Sequence, residues 1–207
     1  MISLYLMSSF IGFTSIFVIL LFFQLWISAY CKRKNIKLPV LHIIAGFVFA
    51  YFLVTIFSIT GIPSIQQLLS GPDLSEKINV IPFRYFSTDS TMYYQNILLF
   101  MPVGFFLPLL WASFRRLDKT VMLGFSLSLL IEISQLFNFR ATDIDDLLMN
   151  TLGTLLGYLL FQAGKAILPK FINYFSAPKS SLPFVIKNEG SIYLGVITIA
   201  YLFLHSL

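Results

Sequence analysis

Six apolar runs divide this 207-residue chain, at about Ser3 to Tyr30, Pro39 to Gly61, Gln95 to Phe114, Thr120 to Phe137, Leu147 to Ala163 and Ser191 to Ser206. Each approaches or exceeds the roughly 20 residues that a helix needs to cross a bilayer. Only 11% of the residues are charged, where a soluble protein carries about 25%, and 57% are hydrophobic. Such a chain cannot solvate a globular surface, so a water-soluble domain is excluded. The pattern predicts an all-α, polytopic transmembrane helical bundle of about six spans, forming a single integral membrane domain over residues 1–207. The first run is long enough to require tilt. The last is short, and an interfacial or re-entrant segment is the alternative there.

Basic residues report topology. Lys32, Arg33, Lys34, Lys37, Arg115, Arg116, Lys119, Lys165, Lys170, Lys179 and Lys187 fall in one alternating set of connections, whereas the other set holds Lys77, Arg84 and Arg140. The positive-inside rule puts the richer set in the cytoplasm and both termini outside. The net charge of +5 forms no basic stripe interleaved with aromatics, so nucleic acid is not an expected partner. Cys31, the single cysteine, cannot form an intrachain disulfide, and no metal-type spacing exists. His42 and His205 stand isolated in the sequence. The first apolar run is too long for a signal peptide, which makes it a retained helix.

The outer side has a long connection, Ile62 to Tyr94, and a short one, Asn138 to Asp146. The segment Ile78 to Phe86, followed by Tyr93 and Tyr94, mixes aromatics with Arg84 in the manner of an interfacial element. Its plainer reading is an aromatic belt. The segment from Gly164 to Gly190, with Pro169, Pro178 and Pro183, reads as a basic interfacial connection. Within the fourth run, Glu132 is an expensive residue to bury in lipid, and Gln135 and Ser128 share its helical face. The fifth run is preceded by Asp143 and Asp146 and continues through Asn150, Gly153 and Gly157, whose gaps keep one side of a helix. Asp145 is rotated off that side. Gly153 and Gly157 form a GxxxG pair suited to close helix approach. The short connection predicts a tight hairpin gathering Glu132, Gln135, Arg140, Asp143 and Asp146. The third run enters from the same face with Gln95 and Asn96, then Pro102, Gly104 and Pro108, and a bend there could frame a cavity.

These residues resemble the VanZ-like membrane proteins. The match rests on Asn79-Val80-Ile81-Pro82-Phe83, on Gln95 to Gly104 with Asn96 and Pro102, on Glu132 with Gln135, and on Arg140 to Gly153 with its Asp143-Ile144-Asp145-Asp146 core. It covers roughly Asn79 to Phe161. Ala141 departs from the small hydroxylated residue common after the arginine. The resemblance implies a polytopic bacterial plasma-membrane protein, in a family whose named member is associated with low-level resistance to teicoplanin and related lipoglycopeptides.

Two kinds of role suit the polar constellation. The structural one is a buried network of ion pairs and hydrogen bonds that fixes the hairpin. The ligand-binding one engages an anionic lipid headgroup or a lipid-linked cell-wall precursor through Asn96, Glu132, Gln135, Arg140, Asp143, Asp146 and Asn150, with Arg140 offering a planar fork to phosphate or carboxylate. The aspartates oppose an anion unless Arg140, Arg84 or a cation offsets them. Catalysis with Glu132 as general acid or base, and proton-coupled transport or flipping through Glu132, are the alternatives. No nucleophile elbow, zinc helix or P-loop accompanies them. A divalent cation on Asp143, Asp145 and Asp146 is disfavoured against solvation or salt bridging. No cofactor is expected.

Overall fold

A computed structural model describes residues 2–72, 78–84, 86, 90–138, 141–176 and 188–204. The regular elements among these residues are helices, with no strand, and the described part of each of the six apolar runs falls mainly on one of them. The helices are α1 (Ile2–Arg33), α2 (Val40–Thr60), the short α3 (Ile65–Leu69), α4 (Thr91–Leu110), α5 (Leu117–Gln135), α6 (Ile144–Ile167), the short α7 (Pro169–Asn173) and α8 (Glu189–Leu204). Among the described residues, four are long and apolar enough to cross a membrane: α1 over its Ile16–Arg33 part, α2, α4 and α6. The count of about six expected from apolar runs exceeds this for two reasons. Asp118, Lys119 and Glu132 interrupt the apolarity of α5, and α8 has only 16 residues.

Helix ends are set by capping chemistry, which at the start of α6 parts them from the ends of the apolar runs. α2 stops at Gly61, whose φ of 70° lets its N–H and that of Ile62 turn back to the Phe57 carbonyl. α3 is built on a capping box, with Ser64 and Gln67 each satisfying the other's backbone N–H. α4 runs unbroken through Pro102 and Pro108. α6 begins at Asp143, an extended residue whose side chain accepts from Asp145 N. Because Asp143 is the cap and not a helical residue, the helical spacing used to align it with Asp146 does not apply.

α4 and α6 form the central pair. Their contact is glycine against backbone: a Cβ at Gly104 would lie 1.9 Å from the Thr154 carbonyl oxygen, one at Gly153 2.3 Å from that of Ile97, and one at Gly157 2.0 Å from that of Met101. Gly124 brings α5 equally close to Thr154. Around this pair, α1, α2 and α8 contribute Ile16, Leu20, Phe49, Leu53, Phe57, Tyr193 and Ile197 to a core completed by Phe100, Leu107 and Trp111. The exposed faces of α1 and α2 remain apolar, with Phe22, Trp26 and Ile44 outward, as lipid contact requires.

His42, isolated in sequence, is buried against Glu189 at the start of α8. Sequence separation concealed the pair, since the partners stand 147 positions apart. His205, Pro178, Lys179, Pro183 and Lys187 lie outside the described residues.

The glycine contacts yield a direct test. Gly157→Ala should destabilise the protein by about 1–3 kcal/mol, since backbone must move to admit a methyl group. Gly195→Ala, with nothing within 4 Å of the added carbon, should leave stability unchanged or slightly improved. Thermal unfolding in detergent, followed by helical circular dichroism, measures both.

Candidate functional site

The polar end of the bundle is organised by the N-terminus of α6. Asp143, Asp145 and Asp146 stand there in sequence, where the helix dipole and unpaired N–H groups favour negative charge. The Asp143 Oδ1 accepts from Asp145 N and from Asn79 Nδ2, both at 2.9 Å. Asp145 accepts from Phe83 N through Oδ1 and from Tyr93 Oη–H through Oδ2, each at 2.7 Å. Asn96 Nδ2 of α4 donates to Asp146 Oδ1 at 2.5 Å. From α5, the Glu132 carboxylate accepts Asp143 N at 2.9 Å, and Thr142 Oγ1 donates to the Glu132 carbonyl at 3.2 Å.

Asn79 completes the arrangement from the long connection. Its N–H donates to the Thr142 carbonyl at 2.9 Å and its own carbonyl accepts Ile144 N at 3.0 Å, a single parallel bridge between Asn79 and Asp143. Its side-chain oxygen accepts from Ile81 N. The segment is thus clasped to α6 by backbone and side chain together. Phe83 adopts a left-handed φ of 59°, a conformation that costs a bulky residue of order 1 kcal/mol and that coincides with the charge-assisted hydrogen bond from its N–H to Asp145. Phe83 stacks on Tyr93 with centroids 6.2 Å apart, and Phe86 meets Tyr93 edge-on at 5.2 Å. Ile78, Val80, Ile81, Phe83 and Phe86 remain exposed.

The constellation therefore divides. Asn96, Glu132, Asp143 and Asp146 converge on the α6 N-terminus. Asn150 lies one turn deeper, donating to Ser128 Oγ at 2.9 Å, with its Oδ1 buried and without a hydrogen-bond partner. Gln135 does not join the acidic group. Its amide turns to the other side of α5 and donates to the Thr60 carbonyl at 2.9 Å, and Asn138 likewise donates to the Gly61 carbonyl, so both serve the C-terminus of α2. Arg140 lies outside the described residues. Gly153 and Gly157 face α4, as described above.

Asp145, which helical rotation placed away from the acidic side, belongs to the clasp and is only 4% exposed. Its side chain points to the segment folded over the helix end, a direction that periodicity along α6 cannot report. Asn79 and Tyr93 are the other members that side-chain patterning passed over, although both fall in stretches that the family resemblance or the aromatic run had marked. A crevice with about 20 Å³ of open space lies among Met92, Tyr93, Asn96, Asp143, Asp145 and Asp146. It admits about one water, so a larger group would rest over its mouth. No three His, Cys, Asp or Glu side chains among the described residues are placed to hold a metal ion.

Apolar helices around a glycine-packed pair, closed at one end by an acidic clasp, define a polytopic helical membrane protein. Residues 47–166, more than half of the chain, match the VanZ/LLP1 family, and the chain belongs to that family. The match starts within α2, ahead of the motifs at Asn79, and ends near the close of α6. Neither the curated proteins nor the solved structures yielded a match.

Asp145→Ala would strand the Phe83 N–H and the Tyr93 hydroxyl, and should cost about 2–3 kcal/mol. Tyr93→Phe removes one hydrogen bond and should cost about 1 kcal/mol. Amide hydrogen exchange at Asn79 to Phe83 should accelerate strongly in the first variant and weakly in the second.

Proposed function

We propose that the protein is an envelope membrane protein whose clasped segment forms a ledge for an anionic lipid or a lipid-linked cell-wall precursor. The observation that carries this reading is the two-sided character of residues 78–83. Asn79 and the Phe83 N–H turn inward to Asp143 and Asp145, while the side chains of Ile78, Val80, Ile81 and Phe83 stay exposed. A rigid apolar surface beside polar and charged groups suits an amphiphile at the membrane interface. The carboxylates already hold donors from Asn79, Phe83, Tyr93, Asn96 and the α6 backbone, so attraction for an anion has to come from cationic side chains. Arg84, within the ledge, and Arg140, one residue before Ala141, supply the guanidinium groups that phosphate or carboxylate requires.

Topology fits the same reading. We take α1, α2, α4, α5, α6 and α8 as six crossings, with the Lys- and Arg-rich connections in the cytoplasm and the clasp on the outer side of a bacterial plasma membrane. Low-level resistance to teicoplanin then follows if the ledge keeps a lipid-linked precursor from a lipoglycopeptide that also enters the outer leaflet. Glu132 has a holding role in this scheme. One of its carboxylate oxygens is engaged by the Asp143 N–H, which favours positioning of the hairpin over proton transfer to a substrate.

Two measurements test the proposal. Expression in a susceptible Gram-positive host should raise survival on teicoplanin, and Arg140→Ala should abolish the gain while leaving membrane insertion intact. Purified protein should retain an anionic lipid that Arg140→Ala loses. Equal lipid retention by both proteins, with equal survival, would overturn the proposal.

A further inference from the structure

At the opposite, basic end of the bundle, one imidazole binds two distant segments. His42, on the first turn of α2, places Nδ1 2.9 Å from the Phe175 carbonyl just beyond α7, and Nε2 3.2 and 3.3 Å from the two Glu189 carboxylate oxygens at the start of α8. Both side chains are buried, at 1% and 0% exposure. A carbonyl only accepts, so Nδ1 carries a hydrogen. Nε2 then faces a carboxylate, and that contact is favourable only with a proton between them. The pair is imidazolium with carboxylate, or neutral imidazole with carboxylic acid. Either form holds one proton and is neutral overall, which is what burial demands.

Removing that proton sets the Nε2 lone pair against a buried carboxylate. Trp111 Nε1, at the end of α4, is buried without a hydrogen-bond partner among the described residues, and the Tyr193 hydroxyl, one turn along α8, lies beside Gln24. Their rings touch each other, with centroids 5.7 Å apart, and Trp111 meets His42 edge-on at 6.3 Å. Gln24 of α1 faces the same space beside Gly46.

We propose that His42 and Glu189 form a one-proton latch that pins the end of α7 and the start of α8 to α2, and that loss of this proton at alkaline pH releases α8 from that anchorage. The ionisable and charged groups around the latch are Cys31 of α1, Tyr193 on α8, and Arg115, which holds Ser176 next to Phe175. The latch lies outside the clasp and does not depend on the ligand proposed for it.

The native state keeps a proton that the unfolded chain gives up above the ordinary imidazole range, so unfolding releases a proton and stability falls as pH rises. While the latch stays closed, the folding equilibrium should weaken by about tenfold per pH unit. Trp26→Phe, at a half-exposed ring, leaves Trp111 as the only tryptophan and thus as reporter, quenched while the protonated pair stands beside it. With this protein in detergent micelles, emission should rise and the unfolding midpoint should fall between about pH 7 and about pH 10. Adding Glu189→Gln should flatten both courses, since a neutral amide donates to Nε2 without a titrating proton. Adding His42→Gln should also flatten the emission course. Cys31→Ser and Tyr193→Phe should preserve both courses. A flat course in the Trp26→Phe protein, an unchanged course with Glu189→Gln, or loss of the course with Cys31→Ser or Tyr193→Phe would each overturn the latch.

Discussion

Buried backbone N–H groups at a helix start must find acceptors, and the N-terminus of α6 meets this demand with acids in place of water. Every other feature of the polar end follows from that choice. Asp143 caps the helix and holds Asn79, Asp145 holds Phe83 and Tyr93, Asp146 holds Asn96, and Glu132 reaches across from α5 to the Asp143 N–H. Three carboxylates can gather in so small a volume because each faces a donor and all face the positive end of a helix dipole. Charge that looks excessive in the sequence is the means by which α4, α5, α6 and the long connection are joined at one point.

The two ends of the bundle solve the same problem differently. At the clasp, many donors from three segments share several acids. At the basic end, a single buried imidazole serves a carbonyl and a carboxylate. The first arrangement tolerates the loss of one bond with modest cost. The second stands on one proton, so its stability falls as the medium becomes alkaline.

Apolar runs, glycine spacing and the shortness of the α5–α6 connection made the helices and the hairpin legible in the sequence, since each signal is local. What stayed hidden depended on direction or distance. Asp145 and Gln135 were assigned to faces by helical rotation, yet Asp145 is turned by the segment lying over the helix end and Gln135 by the carbonyls left open where α2 stops. Asn79 lies 64 residues from the acid that it binds. The His42 and Glu189 pair joins the second helix to the last, beyond the reach of any periodicity. The start of α6 shifted for a related reason, because the Asp143 cap begins the helix ahead of the apolar run that opens at Leu147.

Glycine at 104, 153 and 157 leaves main chain resting on main chain along the seam between α4 and α6. No flexible side chain lies at those points to take up a change of spacing, so the two helices behave mechanically as one stiff beam. Any motion that carries a signal from one face of the membrane to the other must then pass through the surrounding helices, sliding about an axle that does not itself deform.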